Sequence, residues 1–352
     1  MKERWRVVIV EPVDRSGESY RMLREAGCEV ILGRDGWDYP GDAYTEEEMI
    51  ELCKGADGII ARSRDHYTRR LIESIPNLRV ISKHGAGTDS IDVKAATENG
   101  IIVAHTPLHA PFVAEHTVAL MLAIMKRLKE ADRLVQSGAW KGPTFESSPV
   151  REKTIGIIGF GRIGSEVAKR LQGWEARVLA YDPYAKSEVF ARYGVEQCAT
   201  VNEMLDQVDV LIITANLTEE TRHLIGEEAL RRLKKTAYVV NTARGGIIDE
   251  KALINALKER RIAGAALDVF EKEPPDPSNE LLKMENVILT PHMSSRVPGM
   301  FWLLTSATVE NALMALRGEV PKYVKNPEVI DQWLRRFGIN GRRSTVPTKQ
   351  ES

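Results

Sequence analysis

The stretch TIGIIGFGRIGSEVAKRL, residues 154–171, decides the fold. Its first half is apolar throughout and reads as a buried strand; its second half carries helical spacing. Gly159, Gly161 and Gly164 stand between them as G-x-G-x-x-G. In that context Gly159 permits the tight turn, Gly161 lets backbone approach a pyrophosphate, and Gly164 lets helix pack closely on strand. The helix N-terminus adds amide donors and positive potential for phosphate. Arg162 and Ile163 lie inside the loop, Arg162 within reach of the pyrophosphate. The next apolar run, VLAYD, ends at Asp182. A carboxylate there accepts bonds from ribose hydroxyls and repels a 2′-phosphate, so NAD is expected rather than NADP.

Outward from this motif the chain alternates in the same style. KTIGIIGFG, ARVLAYDP, VDVLIITA, AYVVNTA, IAGAALDVF and NVILTPH read as strands of one unit. Before it, residues 6–12, 28–33, 58–63, 78–85 and 100–107 read as strands separated by amphipathic helices at 18–27, 45–56 and 68–76. Strands apolar on both faces, joined by helices, form parallel sheets covered on both sides. A single long helix is expected over 111–136, a loop over 138–149, and a last helix over 299–317. The expected class is α/β: two doubly wound parallel-sheet domains, a flavodoxin-like substrate domain and a Rossmann NAD domain, with a cleft between them. The second unit ends before the chain does, so the substrate domain is expected to be discontinuous, 1–105 plus 297–335. The NAD domain takes 106–296, and the polar residues 336–352 are expected to form a flexible tail.

Bulk properties exclude several classes of function. The chain has 352 residues, too many for one ordinary core, and 43% are hydrophobic. A net charge of -1 offers no global attraction to nucleic acid or to an anionic membrane. The apolar run VALMLAIM, residues 118–125, is too short for a bilayer. The N-terminus passes from charges straight into a strand, with no secretory signal pattern. Three scattered cysteines, Cys28, Cys53 and Cys198, give no metal or disulfide spacing and suggest a reducing, cytoplasmic address.

Three polar residues sit at or beyond the ends of apolar runs: Arg244 in NTARGGIIDE, Glu273 in ALDVFEKEP and His292 in ILTPHMSSR. Ligands of open α/β sheets lie outside the carboxyl ends of the strands, so a cation, a carboxylate and an imidazole there make an acid–base site. Taken singly, His292 fits a structural histidine, Arg244 a surface ion pair and Glu273 a solvated loop charge.

Longer motifs change that balance. HGAGTDSID (84–92), VAEHT (113–117), GIIGFGRIG (156–164), NTARGGIIDE (241–250), ALDVFEKEP (266–274) and TPH (290–292) together resemble the D-isomer-specific 2-hydroxyacid dehydrogenase family, closest in motif to D-3-phosphoglycerate dehydrogenase. The resemblance covers about residues 55–320. It implies catalytic roles for Arg244, Glu273 and His292 and an NAD-dependent hydride transfer between a 2-hydroxy and a 2-oxo acid. Arg244 would hold the carboxylate and polarise the 2-oxo oxygen. His292, whose residue type titrates near neutrality, would exchange the proton, with Glu273 fixing its tautomer. The resemblance also places Asp268 near the nicotinamide, although a capping role fits it too. Thr242 and Ala243 would line the cofactor, and the backbone of Ala86 and Gly87 would meet the substrate carboxylate. His84, Glu115 and His116 fit cleft lining and packing equally well.

Substrate choice stays open at this stage. Arg62, Ser63 and Lys83 would bind an acidic or phosphorylated group, or form an ordinary basic surface. TANLT (214–218) and MSSRVPGM (293–300) depart from the family pattern beside the cofactor and substrate. Glyoxylate or hydroxypyruvate reduction is therefore a second reading, and an NAD-sensing corepressor-like scaffold is a third of another class. The resemblance implies a homodimer; no metal, nucleic acid or membrane partner is expected.

Overall fold

The computed structural model describes residues 4–13, 16–34, 43–140 and 145–339. The chain divides into two compact units, one of residues 1–109 with 296–351, the other of 110–295.

The first unit starts with five strands: β1 (Arg6–Ile9), β2 (Glu29–Leu32), β3 (Gly58–Ala61), β4 (Val80–Lys83) and β5 (Ile102–His105). They form one parallel sheet in the order β2-β1-β3-β4-β5. The crossovers are α1 (Arg21–Glu25), α2 (Glu46–Cys53), α3 (Arg69–Glu73) and α4 (Val93–Glu98). Sequence periodicity missed α4, which is six residues long. Its mark is Asp92, whose Oδ1 accepts from Ala95 N at 2.7 Å as an N-cap.

The second unit opens with α5 (Ala110–Met125) and α6 (Leu128–Gln136). One continuous helix was expected here. The break falls at Arg127, which takes a left-handed φ of 53°. Its guanidinium pairs with Glu130, donates to Glu146 O at 3.2 Å and lies 4.4 Å over the Phe145 ring, so side-chain bonds hold the turn. The expected loop over 138–149 is described except for 141–144, which lie outside the described residues.

Seven strands follow: β6 (Thr154–Ile158), β7 (Arg177–Tyr181), β8 (Glu196–Gln197), β9 (Val210–Ile213), β10 (Tyr238–Asn241), β11 (Gly264–Leu267) and β12 (Val287–Leu289). The sheet is parallel, in the order β12-β11-β10-β9-β6-β7-β8. The order reverses between β6 and β9, the switch point of a Rossmann sheet. Sequence reading found six of these strands. It missed β8, two exposed polar residues on the edge with no apolar pattern to reveal them. The helices of this unit are α7 (Arg162–Leu171), α8 (Ser187–Arg192), α9 (Asn202–Leu205), α10 (Glu227–Arg232) and α11 (Glu250–Lys258). Leu120, Met121 and Ile124 of α5 join Val167 and Leu171 of α7 on one face of the sheet, over Ile155, Ile157, Val210 and Ile212. Leu230 and Leu253 cover the other face.

The chain then returns to the first unit with α12 (Met300–Leu316) and α13 (Ile330–Arg336). Val309, Ala312 and Leu313 of α12 pack on Val7, Ile9 and Ile60, opposite the face that α2 and α3 cover. Asn326 closes the β5 edge: its Oδ1 accepts from Val103 N and its Nδ2 donates to Ile101 O. Covering an edge this way satisfies backbone groups that would otherwise pair with another chain. Helix α13 was not expected from periodicity. It carries Trp333, fully buried, with its indole N–H donated to Arg79 O at 3.1 Å. Residues 336–339 belong to this packed end, with Ile339 against the Trp333 cluster; of the expected tail, 340–352 lie outside the described residues.

Candidate active site

The glycine loop occupies the switch point. Gly159 follows β6 at φ 87°, and a Cβ there would stand 2.5 Å from the backbone of Ala215, just past β9. A Cβ on Gly164 would stand 2.2 Å from Gly159 O. Both positions are closed to side chains by the protein itself. Gly161 differs: a Cβ there would meet nothing within 4 Å, and its φ of -79° suits any residue. The open space lies at the N-cap of the ten-residue helix α7, where amide donors and the helix dipole favour phosphate. That combination fits a dinucleotide pyrophosphate. Arg162 begins α7, and Ile163 packs partly into the core. Asp182 directly follows β7 and orders the loop as well: its Oδ2 accepts from Phe160 N at 2.7 Å, its Oδ1 from Tyr184 N and Ala185 N. Oδ2, with one donor, keeps a second lone pair for a ribose hydroxyl.

The catalytic candidates of this unit sit on the loops after β10, β11 and β12. His292 Nδ1 lies 2.7 Å from Glu273 Oε2, and Glu273 Oε1 accepts from Phe270 N at 3.1 Å. Both Glu273 oxygens are therefore aimed. Arg244 is extended, with Nη1 donating to Ala243 O. Its neighbour Gly245 presses so close to the next loop that a Cβ would fall 1.9 Å from Phe270 C. Any larger residue at 245 would force the Arg244 loop away from the loop that carries Glu273. The buried Asn241 side chain braces the same turn, accepting from Ala243 N and donating to Arg244 O.

His292 has a left-handed backbone, φ 47°, unfavourable for a residue with a side chain. Asp268, fully buried, holds it there. The Asp268 carbonyl accepts from His292 N at 2.8 Å. Its Oδ1 accepts from Thr290 Oγ1 at 2.5 Å and Met293 N at 2.9 Å, its Oδ2 from Ser294 N at 3.0 Å. Burial pushes this carboxyl up, but the bonds from His116, Thr290, Met293 and Ser294 outweigh it and hold Asp268 below the usual carboxylate range. Fastening the His292 loop is the role its geometry shows. Thr242 is buried, its hydroxyl 2.7 Å from Thr117 Oγ1, and Ala243 is buried beside it.

In the first unit, Arg62, Ser63, Lys83, Ala86 and Gly87 follow or end β3 and β4. Ser63 is exposed and Arg62 partly so, its guanidinium 5.9 Å from the Phe301 ring centroid. Lys83 is instead 2% exposed, its ammonium donating to Ser63 Oγ at 2.9 Å and His84 O at 3.0 Å. Lys83 thus fastens the 63 loop rather than forming a solvated basic surface. Burial lowers the His84 pKa to about 3, aided by the Arg62 and Lys83 cations, so His84 is neutral near pH 7. Ala86 O lies 3.2 Å from His105 Nδ1. Asn241, Thr117 and Thr290 drew no assignment from sequence, and His116 was open between cleft lining and packing; their signal is polarity at strand ends and inside the otherwise apolar α5.

Comparisons agree with this geometry. Residues 118–294 match the family model of the D-isomer specific 2-hydroxyacid dehydrogenase NAD-binding domain. A glyoxylate reductase from Thermofilum pendens is 39% identical over 314 residues, 88% of this chain and 91% of that protein. A D-3-phosphoglycerate dehydrogenase from Methanocaldococcus jannaschii is 40% identical over 329 residues, 93% of this chain but only 60% of that protein. Among solved structures, a D-lactate dehydrogenase from Aquifex aeolicus complexed with NAD and lactic acid superposes with TM-score 0.79 at 27% identity, covering 91% of this chain and 98% of that one. The chain belongs to the D-isomer specific 2-hydroxyacid dehydrogenase family and is an NAD-dependent oxidoreductase acting on the CH–OH group of 2-hydroxy acids.

Proposed function

We propose that this enzyme reduces a small, unphosphorylated 2-oxo acid of the glyoxylate or hydroxypyruvate class, with Arg244, Glu273 and His292 as its catalytic residues. One observation carries the mechanism: the 2.7 Å contact between His292 Nδ1 and Glu273 Oε2. With Nδ1 held by the carboxylate, Nε2 is the nitrogen left to face the substrate. NAD(H) supplies or takes the hydride at substrate C2; Gly161, the α7 N-terminus and Asp182 would hold it. As the 2-oxo oxygen gains electron density, His292 Nε2 donates its proton; in oxidation it receives one. Arg244 engages the carboxylate with its planar fork. The Thr242–Ala243 backbone lines the cofactor side of that loop. Asp268 serves this reading by holding His292 in place.

The substrate class follows from charge. Lys83 is buried with donors held by Ser63 Oγ and His84 O, which leaves Arg62 and Arg64 as the candidate cations of that loop for an acidic substrate group. Ala86 and Gly87 would present amides to the carboxylate. Among the described residues no helix is long and apolar enough to cross a membrane. All three cysteines are free and buried, in keeping with a reducing cytoplasm. Helix α6 buries none of its residues and exposes Leu128 and Val135, with Trp140 beyond it; this apolar surface supports a homodimer joined through the second unit.

The test is NADH oxidation with glyoxylate, hydroxypyruvate, pyruvate and 3-phosphohydroxypyruvate. The expected order puts glyoxylate or hydroxypyruvate first. A preference for the phosphorylated acid would return the substrate to the phosphoglycerate class, and no turnover despite NADH binding would favour the scaffold reading. His292→Asn is expected to abolish turnover while NADH still binds; full activity would refute its role.

A further inference from the structure

Two adjacent residues of α5 remain without a role. Thr117 Oγ1 gives its one proton to Val113 O at 2.7 Å, so its 2.7 Å contact with Thr242 Oγ1 is a bond that Thr242 donates. Thr290 Oγ1 gives its proton to Asp268 Oδ1, so its 3.1 Å contact with His116 Nε2 is a bond that His116 donates. His116 Nε2 is thereby the donor of that contact, with Asp268 Oδ1 3.6 Å away. Adjacent helical positions point about 100° apart, so the two side chains reach different loops. Thr242 stands two residues before Arg244, and Thr290 two residues before His292. Thr117 and Thr242 are both buried.

We propose that His116 and Thr117 act together as positioning residues, fixing the Arg244 loop and the His292 loop to one helix so that carboxylate clamp and proton donor keep a constant spacing. The inference rests on the catalytic reading of Arg244 and His292. Neither residue touches the reacting atoms; each acts through a threonine. The two loops arise from different strands, β10 and β12, with β11 between them. Helix α5 is bonded to both through adjacent side chains. A rigid shared mount matters because a displacement of about 1 Å can cost a hundredfold in rate.

The experiment compares His116→Leu, His116→Gln, Thr117→Val and His292→Asn with wild type. It measures kcat and KM with glyoxylate or whichever 2-oxo acid turns over, the NADH Kd and the melting temperature. Leu at 116 and Val at 117 are expected to lower kcat by roughly ten- to a hundredfold, with KM and NADH Kd changed by less than about threefold. His116→Gln, whose amide N–H can donate to Thr290, should recover most of the loss. Unchanged kcat in both His116→Leu and Thr117→Val overturns the proposal. So does a loss that His116→Gln fails to restore, or one that only follows melting. If His116→Leu does not fold, Thr117→Val, close in shape to wild type, decides. Retained turnover in His292→Asn would sink the catalytic reading itself. A dead His292→Asn beside fully active His116 and Thr117 variants sinks only the positioning role.

Discussion

Replacing Gly161 with alanine separates the fold of the glycine loop from its function. A Cβ at 161 meets nothing within 4 Å, and φ -79°, ψ -151° is open to alanine. The fold should therefore lose at most about 0.5 kcal/mol, and restriction of the unfolded chain could raise stability by about 0.4–1 kcal/mol. Binding should respond differently. A methyl group adds about 1.5 Å between backbone and phosphate, while an N–H to O bond works only over about 2.7–3.2 Å. Losing one charge-assisted bond costs about 1.5–3 kcal/mol, which is roughly ten- to a hundredfold in NADH Kd. The controls are Gly164→Ala, whose Cβ would stand 2.2 Å from Gly159 O, and Gly159→Ala, 2.5 Å from the Ala215 backbone at positive φ. Both should melt well below wild type. Thermal melts and NADH titration by tryptophan fluorescence give the two readouts. Wild-type NADH affinity in Gly161→Ala would refute the reasoning, and so would a melting temperature as low as that of Gly164→Ala.

Other perturbations test separate links. Asp182→Ala should raise the NADPH-to-NADH ratio of kcat/KM by roughly tenfold, since it removes a repulsion worth about 1.4 kcal/mol or more; an unchanged ratio counts against the ribose assignment. Trp333→Ala should destabilise the first unit by about 3–5 kcal/mol in urea melts, and a loss under about 1 kcal/mol would mean that α13 is not part of its core. His84, lowered to about 3 from an unfolded value of 6.5, predicts a pH effect of definite sign. Above pH 6.5 both states leave it neutral; below, the unfolded chain binds a proton that the native state resists, so stability falls as pH drops toward 3. At pH 5 the loss is at most about 2 kcal/mol, a ceiling because the residue is partly exposed. His84→Asn should flatten the acid limb between pH 6.5 and 4, and an identical limb in the variant would reject the assignment.

How far such residues can be found without coordinates depends on what holds them. The strands were legible because parallel sheets bury both faces, and runs such as VLII (210–213) have no other reading. The glycine loop was legible because steric need writes directly into sequence. What escaped was structure without periodicity: β8 is two polar edge residues, α4 is one short turn and a half behind Asp92, and α13 is recognisable chiefly by a tryptophan that only packing explains. The break at Arg127 escaped because its causes, Glu130 and the Phe145 ring, are side-chain partners. The site divides the same way. Residue types and motif positions pointed to Arg244, Glu273 and His292. The bond from His292 to Glu273 depends on a left-handed backbone that no propensity predicts and that Asp268 enforces through four bonds. Lys83 shows the opposite error: its type suggested a ligand cation, while its burial makes it a fastener. A polar side chain at a strand end thus announces a task, and only its donors and acceptors tell whether that task is to meet a ligand or to hold the loop that does.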